Sequence, residues 1–415
     1  MNDYVFMTES YPFSTDLGRL LDQPAERYLL ITHDVHETLA AADRARFAAV
    51  VVVEDFALDT LAAALERVGV KRGARIVSHD DFFYVSFAEL NRRYGLTGYS
   101  LESIQPFVDK QVMKQRLQGS GLRLPRWQLF RPEEHAADPA RWRAQTIAAL
   151  GMPVFAKPTQ GAGAEHAVLL DSVAALEAWA HAPRPTGLDF ELDEYIANAT
   201  LYHCDSVLQG QRAVFTEVAC YSHPCADFAA GSAVGSRTLA DDDPARAPLV
   251  AFTEAVFAAF ARHAPIPDGV SHMELFRRDD GEIIFLEVQF RPPGANVRQA
   301  YAERLGVNLE YYHLALQMGR PVAPITPRGD HAAWMYFPTA DGTVADVHPL
   351  PPLRSRVIAA DYGVAPGSVT QAPLSILDAR GRGVVALSLV IAHPDADVLR
   401  EDFERLAAFR PYCMA

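Results

Sequence analysis

The chain has 415 residues, 49% hydrophobic and 22% charged, an ordinary composition for a soluble globular protein of two to four domains or subdomains. Its formal charge of −14, with basic residues scattered and not striped, excludes a general nucleic-acid binder. No apolar run approaches the length that spans a bilayer, and the acidic start MNDYVFMTESYPFSTD lacks the basic-then-apolar order of a signal peptide, so a cytoplasmic protein without a membrane partner is expected. Cys204, Cys220, Cys225 and Cys413 form no CxxC pair and no zinc spacing, which reads as reduced thiols.

Short β-branched runs at 27–33 and 48–53, a helical pattern at 57–69, a strand near 75–78 and a helix near 82–94 predict a parallel α/β sheet at the start of the chain. No GxGxxG follows the first strand, so dinucleotide binding has no support. His33, Asp34 and His36 sit just past that strand, where a loop or capping role is the simpler one. Asp109 can cap a helix over 110–118 on which Lys110 and Lys114, four apart, share a face; alone, this is a solvated basic face. A strand ending at Lys157 runs into TQGAGA and resumes at 167–170. A Gly-rich turn between strands frees backbone N–H groups for phosphate oxygens, with the lysine as a point charge. The Gly-Lys-Ser/Thr ending of a Walker A loop is absent.

FELDEYI at 190–196 reads as an acidic strand, and 201–208 and 213–219 as a strand pair. Residues 221–239 read as a long functional loop, and 248–263 as a helix with an apolar stripe. The stretch HMELFRRDDGEIIFLEVQFRPPGAN, from His272 to Asn296, predicts a hairpin about Asp280-Gly281 in a two-residue type I′ turn. That register sets Glu274 opposite Glu287, His272 opposite Gln289 and Phe276 opposite Phe285, with Met273, Leu275, Leu286, Val288 and Phe290 on the core face. Two opposed carboxylates, with Cβ atoms about 5 Å apart, destabilise a sheet unless something compensates. Mg²⁺ suits such hard oxygen ligands, Mn²⁺ serving as a substitute, with Gln289 lending an amide oxygen and Arg291 a nearby charge. Two helices follow, near 296–305 and 309–318. Beyond them come a hairpin around 340–342, strands near 354–359 and 383–392, and a closing helix at 396–409.

In this order the motifs resemble the ATP-grasp superfamily, nearest its carboxylate–amine ligase and L-amino acid ligase branch. The resemblance covers roughly 27–320 and rests on Asp109-Lys110, KPTQGAGA, DEYI, YHCDSV followed by AVFTEV, and MELF…FLEVQFRPPGA. It implies a mixed α/β and α+β fold: a Rossmann-like parallel α/β domain over 1–108, an ATP-clamping lid subdomain over 109–198, a large ATP-clamping subdomain carrying the metal site over 199–325, and a small C-terminal α+β region over 326–415. It further implies that Lys110 and Lys157 contact ATP, that Gly161, Gly163 and Ala164 close over its phosphates, and that the backbone of Glu194, Tyr195 and Ile196 reads the adenine edge. Glu274 and Glu287 match the carboxylates that hold Mg²⁺, and Arg291 the arginine that stabilises the acyl-phosphate and the tetrahedral intermediate. Gln289 stands where the family usually has asparagine. Leu201 stands where a ribose-binding glutamate is common, which leaves Asp193 or Glu194 for that contact.

The implied activity joins a small carboxylic acid to an amine, with amino acids as the expected substrates, through an acyl-phosphate and with release of ADP; a homodimer is compatible with it. The alternatives are an ATP-grasp enzyme acting on bicarbonate or another carboxylate in nucleotide or cofactor metabolism, and a non-catalytic nucleotide-binding protein. On the substrate side His272, on the metal face of the hairpin, ranks first as a catalytic group. Tyr221, His223, Ser232, Ser236, Arg237 and Arg298 follow as substrate contacts.

Overall fold

The computed structural model describes residues 3–9, 12–376 and 384–415. Four parallel strands open the chain: β1 (Asp3–Thr8), β2 (Arg27–Thr32), β3 (Ala49–Val52) and β4 (Arg75–Val77), in the order β3-β2-β1-β4. β1 was not expected from the sequence. DYVFMT neither alternates nor carries turn signals, yet every one of its residues is buried, as a central parallel strand covered on both faces requires.

The lid region follows as a four-stranded antiparallel sheet: β5 (Trp127–Leu129), β6 (Val154–Pro158), β7 (Val168–Leu170) and β8 (Phe190–Glu194), in the order β5-β8-β6-β7. It has its own core, with Phe130, Trp142, Val154, Leu176 and Leu192 at the centre. The helix Lys110–Leu117 precedes it. Asp109 caps that helix by accepting from the N–H groups of Gln111 and Val112.

The remaining strands are β9 (Ala199–Gln209), β10 (Arg212–Tyr221), β11 (Val234–Thr238), β12 (Gly269–Arg278), β13 (Ile283–Gln289), β14 (His331–Pro338), β15 (Gly342–Val347), β16 (Arg356–Tyr362), β17 (Val369–Thr370), β18 (Val385–His393) and β19 (Tyr412–Met414). Eight of them make one antiparallel sheet, β13-β12-β9-β10-β11-β14-β18-β16. It passes without a break across residue 325, where the sequence suggested a boundary. Two expectations fail here. The stretch 221–239 is not all loop, because β11 forms in it and joins β10 to β14. The hairpin expected around 340–342 does not form either: β14 belongs to the large sheet and β15 pairs with β17 and β19. β14, one partner of β11, and both partners of β15 lie far along the chain, and local turn signals do not report them. Of the strand expected near 383–392, Gly383 lies outside the described residues.

One apolar cluster runs from β1 and β2 through Phe87, Phe107 and Phe260 to Met273, Val288 and Phe290 of the large sheet. The parallel sheet is therefore fused to the large antiparallel sheet and not tethered beside it. Glu310, on the helix Leu309–Gln317, adds a polar clamp. It accepts from Ser14 N at 2.8 Å and lies 3.5 Å from His79 and 3.4 Å from Arg298. Burial raises its pKa, but the His79 charge and the Ser14 hydrogen bonds outweigh that and hold it down at about 2.

Gly235 in β11 allows the β11–β14 contact, since a Cβ there would meet Trp334 O at 2.0 Å. Gly235→Ala is expected to cost about 3 kcal/mol, measured by urea denaturation. A carboxyl depressed on folding stabilises fully above its ordinary value near 4.5 and ceases to as pH falls toward 2. Across that window wild type should therefore lose about 3 kcal/mol more than Glu310→Gln in a urea-midpoint series.

Candidate active site

The hairpin β12–β13 delivers the opposed acids by a different route from the one its sequence suggests. Its turn is a three-residue loop, Asp279–Gly281. Gly281 has φ 93°, its N–H donates to Arg278 O at 2.9 Å, and Arg278 N donates to Glu282 O at 2.9 Å. This shifts the register by one, so Leu275 pairs with Phe285 and Phe276 with Ile284, not Phe276 with Phe285. A β-bulge between Phe285 and Glu287 then restores it: Glu274 pairs with Glu287 and His272 with Gln289. The extra residue is Leu286. It leaves the core face, where Phe285 takes its place at 0% exposure, and lines the cavity instead.

That cavity, about 1740 Å³, is bounded by all four parts of the chain. The lid contributes Lys157, Gly161, Gly163, Ala164 and the run Glu194, Tyr195, Ile196. The large sheet contributes His272, Glu274, Glu287 and Gln289, with Arg291 just beyond β13. The N-terminal part adds Glu9, His79 and Asp81, and Trp334 and Tyr336 of β14 also line the cavity. Of the residues singled out from sequence, Lys110, Tyr221 and Arg298 also reach it. His223, Ser232, Ser236 and Arg237 are not among its lining. His223 Nδ1 is tied to Ala233 O at 3.0 Å, and Arg237 lies on the opposite face of β11 from Ser236.

Lys110 and Lys114 do not form a solvated face: they are 5% and 0% exposed. Lys110 Nζ donates to Gly161 O at 2.9 Å and lies 3.3 Å from Glu287 Oε2, tying the lid loop to the hairpin. Lys114 Nζ donates to Glu191 at 2.8 Å, and Lys157 Nζ lies 3.0 Å from Asp193. Burial works against the Lys157 ammonium, but Asp193, Glu191 and Glu287 overcome it and raise its pKa, so the charge is fixed. Lys114 does not line the cavity; it pairs with the strand acids behind Lys157, a buried role that sequence reading missed. Its spacing from Lys110 was visible; the strand acids that neutralise it were not. Asp193 is thus paired with two lysines, and Glu194 with Arg123 and Arg126, while both still line the cavity.

The lid loop adopts backbone conformations suited to an anion. Gly161 and Gly163 have φ 109° and 63°, and Ala164 and His166 follow at 59° and 58°. Left-handed φ at two non-glycine residues is uncommon in ordinary chain.

At the hairpin, Gln289 Nε2 donates to Glu287 Oε1 at 2.7 Å, while the amide oxygen of Gln289 is buried with no hydrogen-bond partner among the described residues. Burial pushes the Glu287 carboxyl up, but Lys110 and Lys157 bring it below its ordinary value. Glu274 accepts from Tyr221 OH at 3.0 Å. Two opposed carboxylates and an orphaned amide oxygen form an oxygen donor set that fits Mg²⁺ or Mn²⁺.

Behind Glu274 lies a buried array. His272 Nδ1 donates to Asp205 Oδ1 at 2.7 Å; His203 Nδ1 (2.6 Å) and Tyr301 OH (2.6 Å) donate to Oδ2. His203 Nε2 meets Ser236 Oγ at 2.8 Å, and Ser236 Oγ accepts from Trp334 Nε1 at 2.7 Å. Trp334 can only donate, so Ser236 accepts from it, and an ionised Asp205 can only accept, so both histidines present an Nδ1 proton to it. His203, Asp205 and His272 have the composition of a metal site, with ligand atoms within 4.8 Å of one another. Nitrogen–oxygen separations of 2.6 and 2.7 Å are nonetheless hydrogen bonds, shorter than the roughly 3.3 Å between ligands of one tetrahedral ion. Burial would lower the His272 pKa, but Asp205 raises it to about 9. The array leaves His272 Nε2 3.5 Å from Glu274 Oε1, on the cavity side.

No family model matches the chain. An L-arginine-specific L-amino acid ligase of Bacillus subtilis is 23% identical over 281 residues, 66% of this chain and 65% of that relative, so the match spans just under two thirds of the relative's length. An L-amino acid ligase from Bacillus licheniformis superimposes with a TM-score of 0.69 at 16% identity, over 98% of this chain and 97% of that one. N5-carboxyaminoimidazole ribonucleotide synthetase from Thermotoga maritima follows at 0.62 and 14% identity, over the whole of both chains. The biotin carboxylase domain of a Hydrogenobacter thermophilus 2-oxoglutarate carboxylase, solved with MgADP, ADP and bicarbonate, gives 0.61 at 13% identity, over 99% and 90%.

Asp205→Ala would leave three buried donors without their acceptor. It is expected to cost about 3–5 kcal/mol of stability, read from the denaturant midpoint.

Proposed function

We propose that this chain, whose fold is that of the ATP-grasp superfamily, is an ATP-dependent ligase that joins the carboxylate of one small acid to the amine of another, with amino acids as both substrates. One observation carries the reading. Two buried lysines, a left-handed glycine loop, an opposed carboxylate pair with an orphaned amide oxygen, and an arginine all line a single cavity. The relatives named as L-amino acid ligases support the choice of substrate class.

In this reading the substrate carboxylate attacks the γ-phosphate of ATP, giving an acyl-phosphate and ADP, and the amine then displaces phosphate to form the amide. Such a transfer needs positioning and charge stabilisation more than covalent help from the protein. Lys110 and Lys157 supply two fixed positive charges at the phosphates, and the Gly161–Ala164 backbone covers them. The run Glu194–Ile196 borders the adenine. Glu274, Glu287 and Gln289 hold Mg²⁺, which when bound neutralises charge on the phosphates. Arg291 stabilises negative charge on the acyl centre, and His272 Nε2 faces the reacting groups from a ring fixed by Asp205. Arg298, 3.4 Å from Glu310, stands at the substrate end. With no helix long and apolar enough to cross a membrane among the described residues, a cytoplasmic setting fits this activity.

The likeness to a biotin carboxylase domain solved with bicarbonate gives a second reading, in which bicarbonate is the acid. ADP release from ATP and Mg²⁺ that depends on bicarbonate and not on amino acids would select it.

Purified protein with ATP, Mg²⁺ and pooled amino acids should release ADP and phosphate, with a dipeptide or amide visible by mass spectrometry. Glu287→Gln should lower that turnover by at least about 100-fold with an unchanged circular dichroism spectrum, and chelation should abolish it reversibly. Full turnover in Glu287→Gln would remove the metal assignment.

A further inference from the structure

Arg291 leaves β13 beside a well-fixed neighbour. Phe290 is 0% exposed and packs among Tyr84, Phe107 and His313, with ring centroids 5.6, 5.8 and 4.8 Å away. The guanidinium is then held on two sides. Nη1 donates to Pro292 O at 3.1 Å, and Nε donates to Asp81 Oδ2 at 3.1 Å. Nη2 has no protein hydrogen-bond partner among the described residues, and Arg291 lines the cavity.

Asp81 comes from another domain. It opens the 3₁₀ turn Asp81–Phe83, just after β4. That turn is pinned to the large subdomain from behind. Ser78 N donates to Gln317 Oε1 at 3.1 Å, and Gln317 Nε2 donates back to Ser78 O at 2.7 Å. Tyr84 OH donates to Ser78 O at 2.9 Å and meets His313 Nε2 at 2.9 Å, while His313 Nδ1 accepts from Val270 N of β12 at 2.9 Å. Asp80, 0% exposed, accepts from Glu9 N at 3.1 Å. The Asp81 carboxylate is therefore referenced to β12, the strand that carries Glu274, through hydrogen bonds that do not involve Arg291.

We propose that Asp81 is a positioning residue for Arg291: the N-terminal domain, through this one carboxylate, fixes the guanidinium so that its free Nη2 edge points at the reacting carbonyl between the lid and the hairpin. The proposal rests on the ligase reading above. It gives the N-terminal domain a part in the chemistry beyond enclosing the substrate. An arginine anchored at Nε and Nη1 keeps its orientation as charge develops and has little to reorganise. Without Asp81 the side chain can rotate about its last bonds, and a displacement of the order of 1 Å at the charge is enough to cost about 100-fold.

The test uses ADP release by the full chain with ATP, Mg²⁺ and pooled amino acids, comparing Asp81→Ala, Asp81→Asn, Arg291→Ala and the double variant Asp81→Ala/Arg291→Ala. Asp81→Ala should lower kcat by about 10- to 100-fold while the KM for ATP stays within about twofold, because Nε loses its anchor but the nucleotide contacts are intact. Asp81→Asn, whose amide oxygen still accepts from Nε, should recover much of that loss, which a role in net charge alone would not allow. The double variant should be no slower than Arg291→Ala, since the two act as one unit. Wild-type kcat in Asp81→Ala beside a disabled Arg291→Ala, or losses that add in the double variant, overturns the positioning role and leaves the ligase reading standing. Full activity in Arg291→Ala overturns the ligase reading at this residue and the proposal with it. If Asp81→Ala does not fold, Asp81→Asn and Asp81→Ser carry the same comparison.

Discussion

Two like charges face each other across an antiparallel strand pair, and most of the cavity is arranged around that fact. Glu274 and Glu287 occupy opposed positions on β12 and β13. Unaided, such a pair is destabilising. The chain offsets it with Lys110 beside Glu287, Tyr221 donating to Glu274, and Gln289 donating its amide hydrogens to Glu287. The compensation is incomplete, because the amide oxygen of Gln289 remains buried without a donor. A divalent cation would complete the set, held by the two acids and the amide oxygen, and its charge would stand in for the missing donors.

Around this centre the charges alternate. Behind Glu287 lie Lys110 and Lys157, behind Lys157 lie Asp193 and Glu191, and behind those lies Lys114. On the other side His272 stands beside Glu274, and Asp205 holds His272. Each of these charges has an opposite neighbour. That is the condition for keeping so many ionised groups away from water, and it leaves them oriented before any ligand arrives. Breaking one link exposes the next as an uncompensated charge.

How much of this was legible in the sequence differs from part to part. The opposition of Glu274 and Glu287 was readable from alternation, though the turn was not. Asp280-Gly281 signals a two-residue loop, and the structure uses three residues and a bulge at Leu286 that cancels the shift. Two local deviations of opposite sign leave the far pairs in register, and a count from the turn cannot see them. The glycine loop and the lysine before it were readable as a unit because Gly161, Gly163 and Lys157 lie close together in sequence. Lys114 was not, because its partners Glu191 and Asp193 arrive on a strand almost eighty residues later. β1 was missed because a strand buried on both faces has no period to detect. β11 was missed because its strand character comes from β10 and β14, not from its own small residues. The pairing of Asp81 with Arg291 spans 210 positions and joins two domains, so neither residue's neighbours announce it.

The central claim is that the opposed carboxylates hold the metal that travels with ATP. A crystal structure of the chain with Mg²⁺ and a non-hydrolysable ATP analogue tests it most directly. The account predicts an ion between Glu274 and Glu287, at about 2.0–2.1 Å from their oxygens and bridging to the phosphates under the Gly161–Ala164 loop. Nucleotide bound in the cavity with no cation between those two carboxylates, or with the metal held elsewhere, would contradict it.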